Sequence, residues 1–416
     1  MAGVRVASGV GIFGGPAAGA IVRGAAKDAE ERALSEHEAG AVPRRDGKGE
    51  RALVIGGTGP SGPFVVNGLV DRGFETTILH SGNHEPPEIP DVVEHVHTNA
   101  FDVDAVAAAL DGRTFDVCVA TYGRLRANAE LLAGRVGQFI SVGGFPGYRG
   151  YTNAPLFDPP GFPMPTREDG PRVEDPVDDE KGFRIARTEE RLFDAQPDAT
   201  HFRYPWVYGP RQPAPREWSI VKRILDGRDR IIVPDGGLSL SSFGYVANVA
   251  HALLLAVDQP EKAAGRVYNT ADQKVLSLHQ VIEVIAKSMG HALEIVSMPW
   301  SIAWPARPMV AQPWTTHRVV STARLELELG YRDVVDPRDG LAVTAQWLSE
   351  NRPEPGGMEE KVLQDPFDYA AEDALLASWD AALASVKEPA WAADAPGYGL
   401  AYSGPQGRAP SKSEFE

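Results

Sequence analysis

The sequence predicts an α/β fold, with a doubly wound parallel sheet and a smaller C-terminal lobe. An apolar run without a polar break, Ala52 to Ile55, is typical of a strand that is buried on both faces. Glycines follow it, and after them Phe64 to Val70 carry apolar residues at helical spacing. Strand-like and helix-like segments then alternate down to residue 204, an order that favours a parallel sheet.

The first strand–helix unit has the order that a phosphate-binding turn requires. Gly56, Gly59 and Gly62 stand between strand and helix, and Gly73 is placed as a helix-ending glycine. Glycines in such a turn let the backbone approach a diphosphate, and the N–H groups at the helix start face it. The unit therefore predicts a dinucleotide site.

Two motifs carry a family resemblance. Gly56 to Gly62 resembles the G-[GA]-T-G-x-x-G signature of the extended short-chain dehydrogenases/reductases, the NAD-dependent epimerase/dehydratase branch. Arg203 to Pro210 resembles the branch's R-P-x-x-V-Y-G-P signature, with Tyr204 at the first proline's place and Pro205 one position later. The resemblance covers about residues 50–350 and implies a Rossmann-type sheet with a substrate lobe.

The remaining elements follow from apolar patterning. The predicted strands after the first are Thr76–His80, Val93–His97, Phe115–Thr121, Gln138–Val142, Thr200–Tyr204 and Arg230–Val233. The predicted helices are Val103–Leu110, Arg126–Leu132, Gly182–Ala195, Trp218–Leu225, Tyr245–Val257 and Ser277–Met289, the last with Ser277 as its N-cap. Residues 144–180 are rich in Gly, Pro and Asp and predict a long loop.

We divide the chain into three parts. Residues 1–49 lack a sustained period and are expected to form a disordered leader. Residues 50–350 form the main domain, with a nucleotide-binding core at about 50–210 plus 235–270 and the substrate lobe from the remainder. Residues 351–416 form a C-terminal extension with one helix, Tyr369 to Val386, which we expect to pack on a surface or a second subunit.

The composition limits the cellular compartment and the classes of binding partner that we expect. The net charge of −16 argues against nucleic acid and anionic membrane surfaces, which need clustered Lys and Arg. The single cysteine, Cys118, lies in an apolar run and is expected to be a buried, inert thiol. The sequence has no run of about 20 apolar residues that would predict a membrane span. We expect a cytoplasmic protein with a small-molecule substrate and keep a homodimer as an open alternative.

The cofactor implied by the resemblance is NAD or NADP. The residues assigned to it are Gly56, Gly57, Thr58, Gly59, Pro60, Ser61, Gly62, Ser81, Asp102, Val103, Ala120 and Pro205. The turn after the second strand, His80 to Asn83, holds neither an acidic residue that would select NAD nor an arginine. A neutral pocket does not repel a 2′-phosphate, which favours NADP. The resemblance implies that Asp102 and Val103 contact adenine; Asp102 alternatively caps its helix, and the two roles are compatible.

The catalytic pair that the resemblance implies is missing. The family uses Tyr-x-x-x-Lys on one helix face, yet no tyrosine in this chain has a lysine four residues on. Phe183 and Arg187 have the spacing of the pair in the corresponding helix, and Gly143 stands where a helper Ser or Thr is expected. Arg187 keeps a charge that can bind ribose or phosphate but cannot relay a proton.

Two tyrosines remain as candidate proton donors, Tyr148 after the fifth strand and Tyr122 after the fourth. Alternatively, both only line the pocket. We assign no metal ligands. The sequence thus predicts an atypical NAD(P)-dependent oxidoreductase acting on a carbonyl or secondary alcohol of a small organic or sugar-like substrate. The alternative is an NAD(P)-binding sensor or scaffold without redox activity.

Overall fold

A seven-stranded parallel sheet forms the centre of the protein. The computed structural model describes residues 42–121, 123–310 and 315–392. The sheet order is β3-β2-β1-β4-β5-β6-β10. The strands are β1 (Arg51–Ile55), β2 (Glu75–His80), β3 (Glu94–His97), β4 (Phe115–Ala120), β5 (Val136–Gly144), β6 (Thr200–Tyr204), β7 (Trp206–Tyr208), β8 (Arg230–Pro234), β9 (Phe243–Tyr245), β10 (Val267–Asn269) and β11 (Glu294–Met298).

Helices cover both faces of the sheet, so the doubly wound Rossmann-type prediction is confirmed. The helices are α1 (Gly62–Val70), α2 (Val103–Leu110), α3 (Leu125–Leu131), α4 (Glu180–Ala195), α5 (Trp218–Leu225), α6 (Val246–Asp258), α7 (Pro260–Ala263), α8 (Leu278–Ser288), α9 (Arg307–Val310), α10 (Ala323–Leu329), α11 (Pro337–Glu350), α12 (Met358–Leu363) and α13 (Tyr369–Ser385). Helices α1 and α6 pack with one face through a core that includes Val54, Leu69 and Leu253. Helices α2, α3 and α4 pack with the other, around Leu53 and Leu192.

The order of the strands places a crevice at the carboxyl end of β1. Its neighbours are β2 on one side and β4 on the other, with Ile55 paired to Leu79 and to Ala120. The connection from β1 to β2 runs over one face of the sheet, and the connection from β3 to β4 runs over the other face. Ligands of open α/β sheets bind in the crevice at such a switch point.

The smaller lobe is built from two short strand pairs and three packed helices. Strand β8 pairs with β11 and β7 pairs with β9, while α5, α8 and α11 pack against one another. Helix α8 starts with a capping box between Ser277 and Gln280, which confirms the predicted N-cap. Strand β11 was not predicted, because its short alternating segment is completed only by pairing with β8.

Contacts on both sides of residues 50–350 add to the packed part of the chain. Residues 42–49, expected in the leader, pack on the core: Val42 contacts it, and the Arg45 N–H donates to Asp258 Oδ1 at 2.9 Å. Residues 1–41 lie outside the described part. The first compact unit runs to Pro366, because Arg223 and Asp365 form a buried ion pair at 2.7 Å. The second unit, from Phe367, contains α13, the helix predicted for the extension.

Cys118 is fully buried in β4, and burial raises the pKa of its thiol well above the usual range, so the thiol is inert. None of the helices in the described ranges combines the length and the apolar character that crossing a bilayer requires.

Candidate functional site

A cavity of about 770 Å³ opens at the carboxyl ends of the central strands. We call it the glycine-turn cavity. Its lining residues are Gly56, Thr58, Gly59, Pro60, Ser61, Gly62, His80, Ser81, Asn83, Asn99, Ala100, Phe101, Thr121, Val142, Tyr204, Pro205, Trp206, Val207, Gln212 and Pro213. The cavity thus lies over the switch point between β1 and β4.

The glycine turn has the backbone geometry of a phosphate cradle. Gly56 and Gly57 adopt φ angles of 108° and 70°, a region that favours glycine. A Cβ on Gly62 would lie 2.2 Å from the Gly57 carbonyl oxygen, so helix α1 packs on the turn only without a side chain there. A Cβ on Gly59 would have no atom within 4 Å, because this glycine faces the open cavity.

The start of helix α1 completes the cradle. Ser61 is the N-cap residue, but its side chain makes no capping hydrogen bond. Pro60, Ser61 and Gly62 line the cavity, so the positive end of the helix dipole faces it and can stabilise an anionic group there. The open space at Gly59 and this helix start fit a dinucleotide diphosphate.

Eight of the residues that we assigned to a cofactor line this cavity, and four do not. Those that line it are Gly56, Thr58, Gly59, Pro60, Ser61, Gly62, Ser81 and Pro205. Gly57 packs behind the turn against Ile78, and Ala120 is buried in β4. Asp102 accepts the Ala105 N–H at 3.1 Å, as a helix cap does. Neither Asp102 nor Val103 lines the cavity, which Asn99, Ala100 and Phe101 line at this place, so the adenine contact of this pair stays a prediction.

The end of β2 gives the cavity a neutral wall. His80, Ser81 and Asn83 line it, and the lining contains no carboxylate. Burial and the neighbouring imidazoles of His97 and His95 lower the pKa of His80, although Glu85 acts in the opposite direction. His80 is therefore neutral at pH 7, and this wall neither repels nor attracts a 2′-phosphate by charge.

A second cavity of about 1010 Å³ adjoins the first and shares Val142 with it. We call it the basic cleft. Its lining residues are Gly123, Arg124, Leu125, Arg126, Ala127, Glu130, Val142, Gly143, Lys181, Arg184, Ile185, Thr188, Arg191 and His201. Five cationic side chains and one carboxylate therefore line the cleft. Helices α3 and α4 form its walls, and β5 and β6 form its floor.

Helix α4 presents different residues to the cleft from those that we predicted. Lys181 and Ile185 line it at four-residue spacing, whereas Phe183 and Arg187 do not. Arg187 is half exposed and forms an ion pair with Glu190 on the outer surface. The predicted ribose or phosphate contact of Arg187 therefore has no support in its position. The buried residues Ala186, Glu189 and Leu192 show which face of α4 packs inward. The two residues at four-residue spacing in the cleft therefore stand two positions before the predicted ones.

An imidazole occupies the space of the missing helper hydroxyl. A Cβ on Gly143 would lie 2.5 Å from His201 Nε2, so no Ser or Thr fits beside this ring. His201 Nδ1 lies 2.8 Å from Ser141 Oγ. Burial lowers the pKa of His201 to about 4, although Glu189 acts in the opposite direction, so the ring is neutral at pH 7. His201 was not among the predicted site residues, since its only signal in the sequence is a polar residue inside a predicted strand.

Tyr148 lines neither cavity. It is buried, its hydroxyl donates to Asn269 Oδ1 at 2.6 Å, and it accepts from Arg203 Nη1 at 2.6 Å. Burial raises the pKa of this phenol. Its hydroxyl is thus occupied in a buried network, which does not support the predicted role as proton donor. The other candidate, Tyr122, lies outside the described residues.

We therefore expect Tyr148→Phe to act on stability rather than on ligand binding. Loss of the hydroxyl leaves Asn269 Oδ1 and Arg203 each without one buried partner, at a cost of about 1–3 kcal/mol in the free energy of unfolding. Urea unfolding and dinucleotide affinity should be measured together. Unchanged stability combined with weakened binding would show that Tyr148 reaches the ligand.

Comparison with known proteins finds similarity to one family over part of the chain and similarity in fold over most of it. Residues 188–271 match the model of the NAD dependent epimerase/dehydratase family. An uncharacterized protein y4nL of Sinorhizobium fredii is 37% identical over 83 residues, 20% of this chain and 22% of the relative. The chain spans between 22% and 42% of the length of the first curated relatives that it matches.

Solved structures match over a longer range. The UDP-glucose 4-epimerase of Thermotoga maritima, solved with UDP-glucose, has a TM-score of 0.59 at 18% identity and covers 72% of this chain and 99% of its own. The Bordetella bronchiseptica enzyme WbmH, solved with NAD+, has a TM-score of 0.57 at 16% identity over 72% and 99%. The chain thus has the fold of these solved structures, and its residues 188–271 are similar to the NAD dependent epimerase/dehydratase family.

Proposed function

We propose that this protein is an NAD(P)-dependent oxidoreductase that acts on a carbonyl or secondary alcohol of a small anionic substrate of the sugar-nucleotide type. The observation that carries the proposal is the pairing of two adjoining cavities. One has a glycine cradle at the switch point of the sheet, and the other has a cationic lining. The shared wall at Val142 marks where the two ligands would meet.

The glycine-turn cavity would hold the dinucleotide. Backbone from Gly56 to Gly62 and the start of α1 would bind the diphosphate, and the wall of His80, Ser81 and Asn83 would hold the adenosine ribose. When bound, the nicotinamide accepts or donates hydride. NADP remains acceptable to this neutral wall, and titration with both dinucleotides distinguishes them.

The basic cleft would hold the substrate through its anionic group. Arg124 and Arg126 line it from α3, and Lys181 and Arg184 line it from α4. Arginine suits phosphate oxygens because its guanidinium donates two parallel hydrogen bonds. The relative with the UDP-glucose complex and an enzyme solved with UDP act as precedents for this substrate class.

Lys181 is our candidate for the group that meets the reacting oxygen. It lines the cleft one helical turn before Ile185, and it forms no ion pair with the described residues. An ammonium group can stabilise a developing oxyanion and donate a proton to it. Lys181 would thus both stabilise the developing oxyanion and donate a proton to it, in a site that lacks the family's catalytic tyrosine.

We expect Lys181→Met to lower turnover by about 100-fold or more while dinucleotide affinity stays unchanged, because general acid catalysis and oxyanion stabilisation contribute that much. Lys181→Arg should lose turnover while keeping substrate affinity, since it keeps the charge but not an accessible proton. Arg187→Met, one exposed cation on the same helix, is the matched control. Equal turnover in Lys181→Met and the wild type would show that Lys181 takes no part in the reaction.

The function is tested by following the absorbance of the reduced nicotinamide with sugar nucleotides as substrates. Turnover that saturates with both dinucleotide and substrate supports the proposal. Binding of dinucleotide without turnover on any carbonyl or alcohol of this class would contradict it.

A non-catalytic NAD(P)-binding sensor is the second candidate. One observation favours it: Tyr204 is the one tyrosine among the described lining residues of either cavity, and its hydroxyl donates to the Val249 carbonyl. This candidate predicts tight dinucleotide binding that changes the affinity for a partner protein and gives no turnover. The Lys181→Met variant would then leave every measured property unchanged.

A further inference from the structure

Three histidines and one glutamate converge beside the glycine-turn cavity. We call His80, Glu85, His95 and His97 the histidine cluster; one ligand atom from each lies within 4.8 Å of the others. Glu85 Oε1 lies 2.7 Å from His97 Nε2, 3.6 Å from His95 Nδ1 and 3.8 Å from His80 Nε2. His80 Nε2 lies 3.1 Å from His95 Nδ1.

The strand register brings the three imidazoles together. In the parallel pair of β2 and β3, His80 stands opposite His97 and Ile78 stands opposite His95. Residues two apart in a strand share a face, so His95 and His97 project on one side, and His80 projects with its partner. Glu85, in the turn after β2, then closes the group. The rings of His80 and His97 are nearly perpendicular, at 86°.

We propose that the histidine cluster binds one divalent transition-metal ion of the zinc class. Three imidazole nitrogens and a carboxylate oxygen form a tetrahedral donor set that Zn²⁺ accepts. With metal–nitrogen distances of about 2.0–2.1 Å, tetrahedral ligands lie about 3.3–3.5 Å apart. The separations in the cluster, from 2.7 to 3.8 Å for the four distances given, bracket that value. This site was not predicted from the sequence, where we assigned no metal ligands.

Metal binding requires local rearrangement, because the ligand atoms, which lie within 4.8 Å of one another, must also move closer together. The Gly82 N–H donates to His80 Nδ1 at 3.2 Å, which places the proton of the neutral ring on Nε2. A metal on Nε2 needs that proton on Nδ1, so the Gly82 amide has to turn away. Gly82 has φ of 77° and no side chain, so its peptide can reorient at low cost. His97 and His95 are solvent accessible, and this gives the ion an entry path.

The ion would connect β2, the turn after it and β3 on the outer side of the nucleotide pocket. His80 belongs to both sites, since it also lines the glycine-turn cavity. Loading should therefore rigidify the wall formed by Ser81 and Asn83. The proposal does not depend on the redox function, because it concerns the chain without dinucleotide.

The test uses the full chain after removal of metals by chelation. Titration with Zn²⁺ alone, followed by calorimetry against a competing chelator, should show one ion per chain and a raised Tm. Substitution with Co²⁺ should give the intense visible absorption of a tetrahedral site. His97→Asn and Glu85→Gln should each weaken Zn²⁺ binding by about 100-fold or more, because each removes a ligand. His97 and Glu85 are about half exposed, so both variants should fold.

A matched control is available on helix α8. His279 lies 3.4 Å from Glu283 in a surface pair without further histidines, so His279→Asn should leave the affinity and stoichiometry unchanged. Zn²⁺ binding that is equal in His97→Asn and the wild type would overturn the proposal. So would the absence of a tetrahedral Co²⁺ spectrum, which would leave the cluster as a proton-sharing group of imidazoles around one carboxylate.

Discussion

Replacing Gly62 with alanine is expected to abolish dinucleotide binding. The new Cβ would lie 2.2 Å from the Gly57 carbonyl oxygen, and this oxygen belongs to the backbone and cannot turn aside as the end of a flexible side chain can. Helix α1 must therefore move away from the turn, which costs about 1–3 kcal/mol in the free energy of unfolding and displaces the helix start from the phosphates. Urea unfolding and dinucleotide affinity together measure both effects, and we expect affinity to fall by at least about 100-fold.

Gly59→Ala is expected to weaken dinucleotide binding without disturbing the packing of helix α1. Its Cβ has no neighbour within 4 Å in the free protein, so stability should stay within about 0.5 kcal/mol of the wild type. The methyl group enters the space that the diphosphate needs, and affinity should fall while the fold is intact. Affinity equal to that of the wild type would mean that the phosphates do not approach residue 59.

Replacing Glu189 with glutamine is expected to lower the free energy of unfolding by about 3–5 kcal/mol, because it leaves buried arginine charge without its partner. Glu189 accepts two hydrogen bonds from Arg203, at 2.9 and 2.8 Å, and lies 2.9 Å from Arg172 Nη1. The Glu189 and Arg203 side chains are only 5% and 6% exposed. Chemical denaturation measures the loss.

The neighbouring Glu190→Gln is the matched control. Glu190 is 45% exposed and pairs with Arg187 on the surface, where an ion pair contributes about 0–1 kcal/mol. The same chemical change one residue away should therefore be nearly silent. Similar losses for the two variants would show that burial of the Glu189–Arg203 pair is not the cause.

The same network gives stability a pH dependence. Although burial opposes ionisation, Arg203 and nearby positive charges hold the pKa of Glu189 below its usual value, so its contribution is lost as pH falls below about 4.5. His201 acts in the same direction: it binds a proton in the unfolded chain at 6.5 but folded only at about 4. Stability should thus decrease as pH falls from 6.5, and Glu189→Gln should flatten the most acidic part of the curve.

The nucleotide half of the site was predictable because it depends on local sequence. The run Ala52 to Ile55, the glycine turn and helix α1 lie within twenty residues, and spacing alone gives their order. The face of α4 was not predictable in this way. Glu189 is buried and pairs with Arg203 on β6, a contact between elements that spacing within the helix does not predict.

The histidine cluster depends on register between two strands. His95 and His97 alternate within one strand, but the approach of His80 requires the parallel pairing of β2 with β3. Likewise, the space beside Gly143 is filled by His201 from the neighbouring strand. Sequence patterns place residues on elements, whereas these contacts arise between elements.

Equilibrium dialysis of the full chain against reduced NADH and NADPH tests the central claim most directly. We predict one dinucleotide bound per chain, with binding weakened in Gly59→Ala while that variant unfolds at the same denaturant concentration as the wild type. Failure of the wild-type chain to retain either dinucleotide would contradict the assignment of the glycine-turn cavity and of the function built on it.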